Sequence, residues 1–152
     1  MHEKPLNPLE LVCSLLNKHD VRYLVVGGHA CILHGLVRTT EDVDILIQDD
    51  EDNFRRVIAA LSEMEDGAAR ELTVADLRDN VVVKVADEVE VDISKSAWKV
   101  SYADAVADAE SVEVDGVRIP FVSLRTLIRS KDTYREVDKG DLIRLRKLLD
   151  NR

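Results

Sequence analysis

Apolar positions along the chain recur with two different periods, and the switches between them mark out the elements. Leu9, Val12, Cys13 and Leu16 are three and four residues apart behind Asn7-Pro8, an N-cap followed by proline at the first helical position. This predicts an amphipathic helix over about 8–19. Arg22 to Val26 is a β-rich run that stops at Gly27-Gly28, and a short helix is expected from His29 to Leu36, ended by Gly35. Asp42 to Gln48 reads as a second strand. Val43, Ile45 and Ile47 point one way along it; Asp42, Asp44 and Leu46 point the other. Residues 51–65 carry the cleanest helical stripe, through Phe54, Val57, Ile58, Leu61 and Met64.

The second half alternates faster. Thr73 and Asp76 form a capping box for a short helix to Leu77. Val81 to Ala86 and Val89 to Ser94 read as two strands joined tightly through Asp87-Glu88. Tyr102 to Ala109 is weakly helical. Val112 to Val114 and Val117 to Phe121 flank Asp115-Gly116, a strong hairpin signal. Ser123 to about Lys131 and Asp138 to Leu149 close the chain as two helices. The expected fold is α+β, a mixed sheet with helices packed on it, in one domain over 1–152 with its closing helices at about 123–150.

Composition narrows the possible functions. Hydrophobic residues make up 45% of the 152, enough for a core, and recur throughout, which excludes a disordered chain. The net charge of −9 argues against a sequence-independent nucleic-acid binder, which needs a basic footprint. The charge is uneven: residues 123–152 hold 9 Lys and Arg against 5 Asp and Glu, a balance of +4, beside an acidic body. That basic tail is placed either to meet a triphosphate or RNA, or simply to solvate helix surfaces. Cys13 and Cys31 sit in apolar stretches without a CxxC or Cys/His cluster, so free buried thiols are expected rather than a metal site. No signal-type or membrane-spanning run is visible, and a cytoplasmic location is expected.

The chemistry concentrates in Gly27-Gly28-His29-Ala30, His34-Gly35, Arg38, Thr40 and Asp42-Val43-Asp44, with Val91-Asp92-Ile93 further on. A glycine pair at a strand end, a short helix and Asp-x-Asp on the next strand resemble the polymerase-beta-like nucleotidyltransferase superfamily. The wider arrangement resembles its AbiEii-type and minimal members from toxin–antitoxin and phage-defence systems. The likeness runs through Leu127 to Lys131 and Arg135 to Leu142, with Asp138 and Asp141, and covers most of 22–149. It implies Mg²⁺ (or Mn²⁺) on Asp42, Asp44 and Asp92, an NTP as substrate, and transfer of NMP to a hydroxyl on a protein, tRNA or small molecule. An antitoxin-type protein partner, or a non-catalytic NTP-binding role, are further implications.

The spacing has a physical basis. Residues two apart on a strand share a face, with Cα atoms roughly 6–7 Å apart, so Asp42 and Asp44 can grip a hard cation that prefers oxygen ligands. Asp92 joins them only if the fold brings its strand alongside, which would suit a two-metal site. Gly27 and Gly28 leave the backbone open to an approaching phosphate, although that group more often has Gly-Ser here. Glu90 shares the face of Asp92 and competes as a ligand. Arg38 is placed either to fork onto phosphate oxygens or to bridge Glu41 or Asp42. Lys131 ends a core-facing stripe from Leu124, which points it into a cleft toward phosphate or along apolar surface. His34 is expected to be a structural helix-end residue.

Overall fold

The computed structural model describes residues 5–40, 42–131 and 136–152, with the side chains of 136 and 137 left aside. Glu41 and Arg135, named above, lie outside the described residues.

Helix α1 (Pro8–Lys18) begins as the sequence predicts. The Asn7 side chain accepts from the Glu10 amide at 2.8 Å while the Glu10 carboxylate reaches back toward the Asn7 backbone, a reciprocal cap. Strand β1 (Tyr23–Val26) is buried along its whole length. Helix α2 (Gly27–Leu33) starts two residues earlier than expected, because Gly27 takes φ +68° and turns the chain straight from strand into helix. Strand β2 (Val43–Ile47) and helix α3 (Glu51–Leu61) follow, the helix capped by Asp50 and ending before the predicted residue 65 at a turn through Gly67. Helix α4 (Val74–Asp79) carries the expected Thr73–Asp76 capping box.

Strands β3 (Val82–Ala86) and β4 (Glu90–Ser94) form the predicted hairpin, but the connection takes three residues rather than two, pairing Ala86 with Glu90. A second, very short hairpin comes next: β5 (Ser96–Ala97) and β6 (Val100–Ser101). Helix α5 (Tyr102–Ala105) is shorter than the predicted Tyr102 to Ala109 and runs on as a 3₁₀ turn. Strands β7 (Glu110–Val114) and β8 (Val117–Phe121) turn through Asp115 at φ +51° and Gly116 at φ +81°, the two left-handed residues that such a two-residue hairpin loop requires. Helices α6 (Leu124–Ser130) and α7 (Glu136–Asp150) complete the chain.

The six longer strands form one mixed sheet in the order β3-β4-β2-β1-β8-β7. β2 runs antiparallel to β1 and parallel to β4, so it is bonded on both sides. One hydrophobic cluster from Leu9 to Leu145 joins the sheet to α1, α3 and the closing helices. The fold is thus the mixed α+β arrangement that the pattern predicts. Among the described residues no helix is long and apolar enough to cross a membrane.

Candidate active site

Strand pairing builds the site. β1 is antiparallel to β2 with Val26 opposite Asp44, so the Gly27-Gly28 turn emerges beside the Asp42 end of β2. β4 is parallel to β2 with Asp44 directly opposite Asp92. Residues directly opposite in neighbouring strands project from the same face of the sheet. Two carboxylates separated by 48 positions in sequence therefore become neighbours. Asp42, just ahead of β2, lies on that face by the two-residue period.

A cavity of about 760 Å³ opens over this face. Gly27, Gly28, Arg38, Asp42, Asp44, Asp92 and Lys131 all line it, so the structure brings these seven together. Glu90 does not line it. Its half-exposed carboxylate meets Lys84 at 3.7 Å and borders a separate shallow depression.

The glycines fit their neighbours closely. A Cβ on Gly27 would stand 2.1 Å from Asp44 Oδ2, and one on Gly28 would stand 2.6 Å from Thr40 Oγ1. Gly27 is thus required twice, by its positive φ and by the carboxylate that fills the space a side chain would occupy.

The electrostatics are unbalanced. Burial, and then the hydrogen bonding and charge of Asp92 beside it, push the Asp44 carboxyl up to about 7; Lys131 opposes this and Asp42 adds to it. Asp92 Oδ1 is buried and has no hydrogen-bond partner. Lys84, on β3 opposite Asp92, reaches the group: its Nζ lies 3.4 Å from Asp42 Oδ2 and 3.7 Å from Asp92 Oδ1, the latter beyond hydrogen-bond reach. The Asp92 charge first, then Asp42, raises the Lys84 pKa above its ordinary value.

The two cations nominated for phosphate are held by acids of α7. Arg38 Nη1 donates to Asp141 Oδ2 at 2.5 Å, and Lys131 Nζ lies 3.3 Å from Asp138 Oδ1 and 3.2 Å from Asp141 Oδ2. Asp138 and Asp141 are 1% and 4% exposed, so this network is an internal clamp. It joins α6, α7 and the segment between α2 and β2. Among the described residues Arg38 makes no salt bridge to Asp42; its Nε donates instead to the Thr39 carbonyl at 3.2 Å.

Oxygen donors of this kind suit a hard divalent cation, and the raised Asp44 pKa together with the orphaned Asp92 oxygen marks where one would relieve the charge. Among the described residues, no three His, Cys, Asp or Glu side chains already stand as a ready-made metal cage. Lys84 meets both Asp42 and Asp92, where such a cation would otherwise sit.

His34 is structural, as expected. Its ring is buried, Nε2 donates to the Val122 carbonyl at 2.8 Å, and Phe121 meets it edge-on at 5.0 Å. Sequence reasoning passed over Lys84 and Trp98. Lys84 is a charge on the solvent-facing side of a strand with no other distinguishing mark. Trp98 lines the cavity from the β5–β6 hairpin, whose strands are too short to leave a pattern.

Comparison with known proteins agrees with the geometry. The chain resembles an antigenic nucleotidyltransferase-like protein from Paracoccidioides brasiliensis, with a TM-score of 0.55 at 16% identity, covering 90% of this chain and 72% of that one. It also resembles a nucleotidyltransferase candidate from Thermotoga maritima, with a TM-score of 0.56 at 20% identity, covering 93% and 89%. At these identities the likeness establishes the fold. No curated protein matches the sequence. The model of one family, described as nucleotidyltransferase of unknown function (DUF6036), matches residues 9–145, nearly the whole chain, and the protein therefore belongs to that family.

Proposed function

We propose that this protein is a metal-dependent nucleotidyltransferase that moves NMP from an NTP to a hydroxyl acceptor and releases pyrophosphate. The observation that carries the reading is the register of Asp44 against Asp92 on the floor of the cavity, with Asp44 costly to ionise and Asp92 Oδ1 buried without a hydrogen-bond partner. Asp42, Asp44 and Asp92 are the residues that would hold Mg²⁺ or Mn²⁺. Such a cation would offset the charge of the phosphates and of the three carboxylates.

The protein's own groups have distinct parts. The acceptor oxygen forms a bond to the α-phosphorus while the bond to the bridging oxygen of the pyrophosphate breaks. The acceptor's proton passes to the Asp92 carboxylate, whose buried Oδ1 has no hydrogen-bond partner among the described residues. Gly27 and Gly28 form the turn on the cavity wall that would face the triphosphate, the space of their missing side chains being taken by Asp44 and Thr40. Arg38 and Lys131 present positive charge on the same wall, kept in place by Asp138 and Asp141.

The acceptor class, whether protein, tRNA or small molecule, the toxin–antitoxin setting of AbiEii type, an antitoxin-type partner and a cytoplasmic site of action rest on the motif likeness alone. A second reading is a non-catalytic NTP-binding module. It is favoured by the salt bridges that engage Arg38, Lys131 and Lys84 with protein carboxylates instead of leaving them to phosphate. Incubation with each α-labelled NTP, Mg²⁺ and cell extract separates the two. Label transferred to an extract component by the parent protein and not by Asp44→Asn supports the enzyme. Tight NTP binding with no transfer and no pyrophosphate release supports the module.

A further inference from the structure

The cavity has two chemically different ends. Because β1 is antiparallel to β2, Gly27, Gly28 and Arg38 gather at the start of β2. Because β4 is parallel to β2, the chain leaving Ser94 runs toward the opposite end, where Val82, Ala97 and Trp98 form an apolar wall. From Asp92 to Ser94 along the strand is roughly 6–7 Å. A charged end, a carboxylate floor and an aromatic end thus follow one another across a single opening.

Trp98 is unusual in its backbone as well as its place. It sits at the first position of the two-residue loop between Ala97 and Val100 with φ +59°. Lys99 is not among the residues of positive φ, and a loop with only its first residue left-handed ordinarily takes glycine there. A bulky side chain in that conformation is strained, and such strain persists where the side chain is needed. The indole is 41% exposed, borders the cavity and carries the Lys99 ammonium 5.9 Å from its ring centroid. The Ser96 hydroxyl donates to the Trp98 carbonyl at 2.6 Å and steadies the loop.

We infer that Trp98 is a stacking platform for a nucleobase at the apolar end of the cavity, with Lys99 as a cation beside it. An aromatic face with an adjoining positive charge suits a base attached to phosphates, since every base offers a π-face and stacking tolerates its identity. The base comes either from the incoming nucleotide or from the end of a nucleic-acid acceptor. The inference rests on the nucleotidyltransferase reading, because it takes the phosphates to lie at the glycine end.

Trp98 is the sole tryptophan of the chain, so its emission reports this site alone. The protein is titrated with Mg²⁺ and a nonhydrolysable NTP, with Mg²⁺ and inorganic tripolyphosphate, and with a short single-stranded oligoribonucleotide. Calorimetry runs in parallel. Quenching by the NTP and not by tripolyphosphate is expected, and assigns the base to the incoming nucleotide. Quenching by the oligoribonucleotide alone assigns it to the acceptor. Trp98→Gly should weaken binding of the quenching ligand by about 5- to 150-fold, the range that stacking one base is worth, while Trp98→Phe keeps most of it. Glycine relieves the φ strain, so Trp98→Gly should melt no lower than the parent, which separates lost stacking from lost folding. NTP binding seen calorimetrically with no quenching by either base-bearing ligand, or unchanged affinity in Trp98→Gly, overturns the inference and leaves the enzyme reading intact. Absence of any calorimetric NTP binding removes the nucleotidyltransferase reading and the inference together.

Discussion

Asp44 and Asp92 stand opposite each other in register on neighbouring parallel strands, and burial together with the Asp92 carboxylate beside it makes Asp44 costly to ionise. This relationship makes a pH-dependent liability. The folded-state pKa of Asp44 is about 7, above its unfolded value of 3.8, so the native protein binds the extra proton. Stability from this group is fully present below about pH 4 and is lost as pH rises through 7. Asp44→Asn mimics the protonated form. Without metal it should therefore melt higher than the parent at pH 8, with the gap closing toward pH 4. Thermal melts in chelator across that range test this; a gap that does not change with pH would show that Asp44 carries no such burden.

Asp92→Asn separates chemistry from binding. Asp42 and Asp44 remain to hold the triphosphate's cation, so NTP affinity should change little, while transfer falls by about 10²–10⁴-fold, the usual worth of a positioned general base. Glu90→Gln is the control. Its carboxylate lies off the cavity, so transfer should be nearly unaffected. Steady-state rates on the acceptor found by labelling decide the matter.

Gly27 and Asp44 interlock. Gly27→Ala should cost about 1–2 kcal/mol for the left-handed backbone alone. It also drives the new Cβ into Asp44, displacing the carboxylate and abolishing Mg²⁺-dependent NTP binding. In an Asp44→Ala background the backbone cost remains and the collisions with Oδ2 and Cγ disappear, leaving only a close 3.0 Å approach to the Cβ at position 44. Urea unfolding of the four proteins in this cycle should therefore show a smaller penalty for Gly27→Ala when Asp44 is absent.

Lys84 competes with metal for the same oxygens. Lys84→Met should tighten Mn²⁺ binding, measured by calorimetry, because Asp42 and Asp92 lose their resident cation. Weaker Mn²⁺ binding would mean instead that Lys84 holds the carboxylates in place for the ion.

Asp141→Ala leaves the Arg38 and Lys131 charges without a partner they share. Breaking one side of a buried ion pair typically costs about 3–5 kcal/mol. A loss near that size in denaturant unfolding is expected, larger than for any single charge removed from the exposed Arg55 cluster on α3.

The carboxylates were legible in the sequence because alternation along a strand is local. Asp42-Val43-Asp44 and Val91-Asp92-Ile93 declare their faces without knowledge of the fold. The parallel pairing that joins them was expected only from family likeness, since no local signal specifies a partner strand. Lys84 carries no mark in the sequence, because its place depends on the register of the hairpin. Taking Asp87-Glu88 as the entire turn sets Lys84 opposite Val91, on the apolar face. The actual three-residue turn sets it opposite Asp92. Arg38 and Lys131 line the cavity, but their acidic partners on α7 could not be inferred from the sequence. Asp141 lies 103 positions beyond Arg38, and a pairing at that distance is a property of helix docking.

That long-range clamp also orders events during synthesis. The wall of the cavity that carries Arg38 is complete only once Asp141 has been made and α7 has docked. At about 5–20 residues per second, the ribosome takes roughly 5–20 s to travel from one partner to the other. During that interval β2 and the other strands are made in turn, yet Arg38 still lacks the helix that holds it. The finished cavity thus waits on α7, and chain order alone sets when its walls first meet.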